Sequence, residues 1–186
     1  MIANIFKVFG IVVGCLILLS VVFCLVILST NMQKGAHEEV WKSKGHSMGK
    51  ALVIYQPSLT GISSLMAHQI AKGLNDGGYE VTLNHPGKNV SYDVSDYDVA
   101  VFGSGAHWSY SSKALVDYMA GIKDYSTTKI VLYSTGIVPD NGDEFVAMEK
   151  ALHGTEPYKV QKFDANMKKE ANEKKAYDFG KELSKK

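Results

Sequence analysis

The stretch from Ala51 to Leu74 constrains this chain more than any other. Ala51-Leu-Val-Ile-Tyr55 is a near-continuous apolar run, Ser58-Leu-Thr-Gly-Ile-Ser63 gathers three hydroxyls around one glycine, and Leu65, Met66, Ile70 and Leu74 then recur at helical spacing. The order reads as strand, loop, helix. A helix N-terminus presents unpaired N–H groups and the positive end of the dipole, which favours a negatively charged group there. Ser58, Thr60 and Ser63 add hydroxyl donors, Gly61 lets backbone approach closely, and Leu59 and Ile62 complete the loop. The expected guest is a phosphate carried by a cofactor.

The remainder repeats this alternation. Asp76-Gly77-Gly78 ends the helix, and Tyr79–Leu83 is the second predicted strand. Turn formers from Asn84 to Asp96 leave room for one helical turn, and Tyr97–Phe102 is the third strand, entering Gly103-Ser-Gly-Ala-His-Trp-Ser-Tyr110. A helix over Ser112–Ile122 precedes a fourth strand, Lys129–Tyr133, which ends in Ser134-Thr-Gly136. Asp143–Leu152 reads as helix, Tyr158–Phe163 as a fifth strand and Asn166–Leu183 as a charged last helix. Strands alternating with helices predict an α/β domain over 51–186, with a five-stranded, doubly wound parallel sheet covered on both faces. Right-handed crossovers then bring the loops after strands one, three and four to one crevice at the topological switch.

The first 50 residues lie outside that pattern. Val8–Ser29 runs for 22 residues without a charge, long enough to span a bilayer as a helix. A cleaved signal peptide has a shorter apolar core and an Ala-x-Ala-like exit, whereas this run ends Leu28-Ser29-Thr30-Asn31. Residues 1–30 are therefore expected as a single transmembrane anchor and the polar residues 31–50 as a tether. Lys7 alone precedes the apolar run, while Lys34, Lys42, Lys44 and Lys50 follow it, which predicts a domain facing the cytoplasm. Both cysteines, Cys15 and Cys24, fall inside the apolar run, so the rest of the chain can build no disulfide or cysteine-ligated metal site. Residues 51–186 carry 15 lysines against 17 acidic residues, and no arginine occurs anywhere, so there is no basic footprint for nucleic acid.

Several nucleotide-binding patterns fail. Gly103-Ser-Gly105 lacks the third glycine of a dinucleotide fingerprint, whose place Trp108 takes, and no G-x-x-x-x-G-K-[ST] occurs. A phosphoacceptor receiver needs acidic residues after strands one and three, where this chain has Tyr55-Gln56 and Gly103-Ser104. The loop Ser58-x-Thr-Gly-x-Ser63, with Ala67 four residues on, instead resembles the FMN-phosphate signature of the flavodoxin family. It departs from that signature in the extra residue at Gln56-Pro57 and in Ser63 for the usual threonine. Val94 to Ser104 resembles that family's third strand and its approach. The third and fourth loops resemble the protoporphyrinogen-oxidase-like branch.

The resemblance implies strand order 2-1-3-4-5, FMN as cofactor, and electron transfer to a redox partner protein or a membrane quinone. On it, Ser58, Leu59, Thr60, Gly61, Ile62 and Ser63 hold the phosphate. Ser104, Gly105, Ala106, Ser134, Thr135 and Gly136 face the isoalloxazine, and either His107 or Trp108 stacks on it. No nucleophile–base pair is visible. Two other readings remain open: a menaquinone-linked enzyme of the protoporphyrinogen-dehydrogenase type, and a tethered interaction module without FMN. The plain alternative for each loop is structural, with hydroxyls capping the following helix and aromatics packing on the sheet edge. His37, His46, His68 and His153 are expected as solvated side chains.

Overall fold

The computed structural model describes residues 2–106, 109–138 and 142–185. They fall into two units, residues 1–32 and 33–186. The first is one helix, α1 (Ile2–Asn31), apolar on every side; its Phe6–Ser29 stretch is long and apolar enough to cross a membrane. None of that stretch is buried in the protein, as it would be in a core helix.

The second unit is built on a six-stranded sheet. In chain order its elements are β1 (Glu39–Trp41), β2 (Gly49–Tyr55), α2 (Ile62–Asp76), β3 (Tyr79–Asn84), β4 (Val99–Gly105), α3 (Lys113–Ala120), β5 (Lys129–Gly136), α4 (Asp143–Lys150), β6 (Lys159–Asp164) and α5 (Lys169–Leu183). The sheet order is β1-β3-β2-β4-β5-β6. The five expected strands are β2 to β6, they pair in parallel, and their order is the expected 2-1-3-4-5. The crossover from β3 to β4 holds a single short 3₁₀ turn, Val94–Asp96, instead of a full helix.

Alternation along β2 explains the double winding, since successive strand side chains point to opposite faces. Ala51, Val53 and Tyr55 join Met66, Ile70, Val101, Tyr133 and Phe179 under α2 and α5. Leu52 and Ile54 join Phe102, Leu115, Met119, Leu132 and Phe145 under α3 and α4. Both cores are closed, which is why β2 and β4 read as unbroken apolar runs.

One expectation gives way here. The sixth strand, β1, lies within residues 31–50, where the polar sequence predicts a tether; it pairs antiparallel with β3, Val40 opposite Thr82. Of the four histidines expected as solvated, His37, His46 and His153 are exposed and His68 is half-buried. His68 Nε2 lies 3.1 Å and His37 Nε2 3.4 Å from Glu39 Oε1, and His153 Nε2 lies 3.1 Å from the Ala120 carbonyl. Three residues amid polar neighbours carry too little β pattern to be seen in sequence. Pairing with a waiting sheet edge supplies what propensity does not.

Candidate functional site

The carboxyl ends of β2, β4 and β5 meet at the switch point, between β2, whose crossover leads toward β3, and β4, whose crossover leads toward β5. Tyr55 is in register with Gly103, and Ser104 and Gly105 with Ser134 and Thr135. Gln56 N donates to the Gly103 carbonyl at 2.9 Å, and Ala106 N to that of Thr135 at 2.8 Å, so pairing continues past the strand ends. All three stretches expected to form the site therefore stand side by side.

The Ser58–Ser63 loop closes on itself before α2 begins. Gly61 N donates to the Ser58 carbonyl at 3.1 Å. Gly61 then takes the N-cap position with φ of 74°, a conformation that side chains resist, and a Cβ there would meet nothing within 4 Å. The first turn of α2 contains no acidic residue, and its leading amides have no carbonyl one turn back to bond. Ser58 Oγ accepts from Ser63 N at 3.1 Å and lies 3.4 Å from Thr60 Oγ1. Leu59, Thr60 and Gly61 are exposed and Ser58 and Ile62 half-buried. Uncharged donors thus surround an open helix N-terminus, which suits an anion.

Ser63 behaves differently from the expectation. Its side chain is fully buried and its hydroxyl donates inward to the Gln56 carbonyl at 3.0 Å. It braces the loop and faces away from solvent, so in this structure Ser58 and Thr60 carry the exposed hydroxyls. A second brace escaped the sequence reading. The Tyr133 hydroxyl donates to the Ser63 carbonyl at 2.9 Å, tying β5 to the start of α2 beneath the loop. Burial pushes the Tyr133 phenol well above its ordinary pKa, keeping it a donor. Gly103 makes room for that ring: a Cβ there would lie 1.8 Å from Tyr133 Cε1.

Ser104, Gly105, Ser134, Thr135 and Gly136 are strand residues and not loop residues, buried at the ends of β4 and β5. Ser104 Oγ accepts from Ser112 N at 3.2 Å, capping the approach to α3. The Ser134 hydroxyl is fully buried and has no hydrogen-bond partner among the described residues. Ala106, half-buried, follows directly. His107 and Trp108, the expected stacking residues, lie outside the described residues. Ser109 beyond them has φ of 66°, an uncommon conformation for a side-chain-bearing residue. Leu59, Tyr110, Ile137 and Val138 are left exposed on the same three loops, an apolar rim of the kind that receives a flat ring or a partner.

Elsewhere, a cleft of about 630 Å³ runs between residues 87–95 and the end of α3, lined by Tyr92, Val94, Tyr118 and Ile122 among others. None of the three loops contributes to it. Among the described residues no group of three His, Cys, Asp or Glu side chains is placed to hold a metal ion.

An open, mainly parallel sheet with helices on both faces and the strand order β3-β2-β4-β5-β6 is the flavodoxin fold. Solved structures agree. The chain is similar to the Streptococcus pneumoniae TIGR4 flavodoxin with a TM-score of 0.56 at 16% identity, covering 73% of this chain and 98% of that one. Flavodoxin 2 from Bacillus cereus matches with a TM-score of 0.53 at 17% identity, covering 73% and 97%. Rubredoxin:oxygen oxidoreductase from Desulfovibrio gigas gives a TM-score of 0.57 at 13% identity over 75% of this chain, which spans 36% of that protein's length. No protein-family model matches, and no curated protein is similar at a significant level.

Proposed function

We propose that this chain is a membrane-tethered, FMN-binding electron-transfer protein. The observation that carries the reading is the convergence at the switch point of an uncharged cradle, Ser58 to Ser63 with Gly61 at the head of α2, and the buried ends of β4 and β5. The residues present fit FMN. Ser58, Thr60 and the first amides of α2 would hold the phosphate, Ala106 and Gly136 would border the ring, and the buried Ser134 hydroxyl has no hydrogen-bond partner among the described residues. When bound, FMN supplies the one- and two-electron chemistry. The protein would position it: Tyr133 and Ser63 hold the cradle against the sheet, and the exposed apolar rim would cover one side of the ring.

One phosphate cradle without an adenine fingerprint favours FMN over FAD. The test is the colour and flavin content of the detergent-solubilised full chain, followed by reconstitution with each flavin and fluorescence quenching. Tight FMN binding is expected; tighter binding of FAD, or of neither, overturns the reading. The membrane half rests on α1, apolar all round, and on the lysines that follow it. Reporters fused at the C-terminus should be active only in cytoplasmic format, and retention of α1 in the mature protein separates an anchor from a cleaved signal. Its electron partner is then a redox protein or a membrane quinone.

A further inference from the structure

On the side of the crevice away from the Ser58–Ser63 loop lies a buried ion pair. Lys162 Nζ is 2.7 Å from Glu144 Oε1, with the lysine side chain 12% exposed and the glutamate side chain fully buried. Taking both charges out of water costs several kcal/mol per ion, and the attraction repays this only in good geometry. A pair so placed adds little to stability and invites another role. Lys162 stands near the end of β6, in register with Ser134. A Cβ built on Gly136 would lie 3.4 Å from Lys162 Cε, 3.8 Å from its Nζ and 3.3 Å from Ala106 Cβ. The ammonium thus overhangs Gly136, beside the two stretches that would border the ring. Glu144 is the second residue of α4, and its carbonyl accepts from Ser111 Oγ at 2.9 Å, which ties the pair to the segment beyond Ala106. Apart from the ion pair, neither Glu144 carboxylate oxygen has a hydrogen-bond partner among the described residues.

We propose that Glu144 and Lys162 together set the balance between oxidised and reduced flavin, an inference that rests on the FMN reading above. Adding two electrons and one proton to the isoalloxazine leaves it one unit more negative. A nearby ammonium stabilises that charge and a nearby carboxylate opposes it, more strongly in a partly dry site than in water. The two halves of the pair therefore act with opposite sign, and the nearer one, Lys162, dominates.

The experiment reduces the FMN-loaded full chain in detergent stepwise with dithionite against a reference dye. Lys162→Met should lower the ratio of reduced to oxidised FMN affinity about tenfold, which is ~30 mV for a two-electron couple. Glu144→Gln should raise that ratio by a smaller factor, about twofold, because its carboxylate lies farther from Gly136 than the ammonium does. A lone buried charge can unfold a protein, so a swapped pair, Glu144→Lys with Lys162→Glu, keeps both charges compensated. It should lower the ratio further than Lys162→Met, because a carboxylate now overhangs Gly136. Potentials unchanged in the swapped pair, or shifts of the same sign in the two single variants, overturn the proposal while leaving FMN binding intact. A wild-type chain that binds no FMN overturns both.

Discussion

The two sides of the crevice handle charge in different ways. On the α2 side there is no charged side chain from Gln56 to Ser64; the cradle consists of amides, hydroxyls and a glycine. On the β6 side a full positive and a full negative charge are buried against each other. Neutral dipoles are suited to a ligand group whose charge does not change, because they are already oriented and need no counter-ion. Formal charges are suited to a group whose charge does change. On the proposed FMN reading, the asymmetry would suit a ligand with a constant phosphate at one end and a redox ring at the other.

This contrast can be broken most severely under the cradle. Gly103→Ala would drive a methyl into the Tyr133 ring and should cost on the order of 3 kcal/mol of stability in urea unfolding. A variant as stable as wild type would show that the ring has room to move. Tyr133→Phe should cost about 1–3 kcal/mol, because it leaves the buried Ser63 carbonyl without its donor. FMN affinity should fall with it if the brace holds the cradle in shape.

Within the cradle, the inward Ser63 and the outward Thr60 should separate. Thr60→Ala should weaken FMN by about 1.5 kcal/mol, the order for a hydrogen bond to a charged group, and leave riboflavin nearly untouched. Ser63→Ala should reduce stability and change the two affinities alike. Equal responses at both positions, by titration with each ligand, would merge roles that the structure keeps apart.

The smallest effect lies at the edge strand. Burial tends to raise the Glu39 carboxyl, but its bonds to His68 and Trp41 and the charge of His37 outweigh that and hold it below its ordinary value. A carboxyl depressed in the folded state contributes stability above its unfolded pKa and loses it as pH falls through the folded one. Stability of the β1 edge should therefore decline from about pH 5 downwards, by under about 1 kcal/mol for a pair this exposed. Glu39→Gln should flatten that slope in acid titration of thermal unfolding.

Much of the fold was legible because long apolar strands such as Leu52–Tyr55 and periodic helices such as α2 announce themselves locally. The strand order and the meeting of three loops then followed from topology alone. Ser104, Gly105 and Ser134 to Gly136 read as loop because glycine and serine disfavour strands; pairing with β5 holds Ser104 and Gly105 in the sheet, pairing with both β4 and β6 holds Ser134 and Thr135, and pairing with β6 holds Gly136. Tyr133 read only as the end of a strand, since nothing in its own segment reveals that its hydroxyl reaches Ser63, 70 residues away. The Glu144–Lys162 pair was equally hidden. It depends on how the first turn of α4 settles against the end of β6, a long-range placement that no local pattern encodes.

The sheet also ends differently on its two flanks, with a consequence for how copies of the protein meet. The β3 flank is capped by β1, only three residues long, and β6 on the other flank carries Lys159 and Lys162, both engaged with carboxylates. A short outer strand offers few free amides and carbonyls, and lysines on the opposite rim would have to give up their partners before another chain could pair there. Molecules crowded together would thus find no ready template for adding strand to strand, and the sheet stops growing at six.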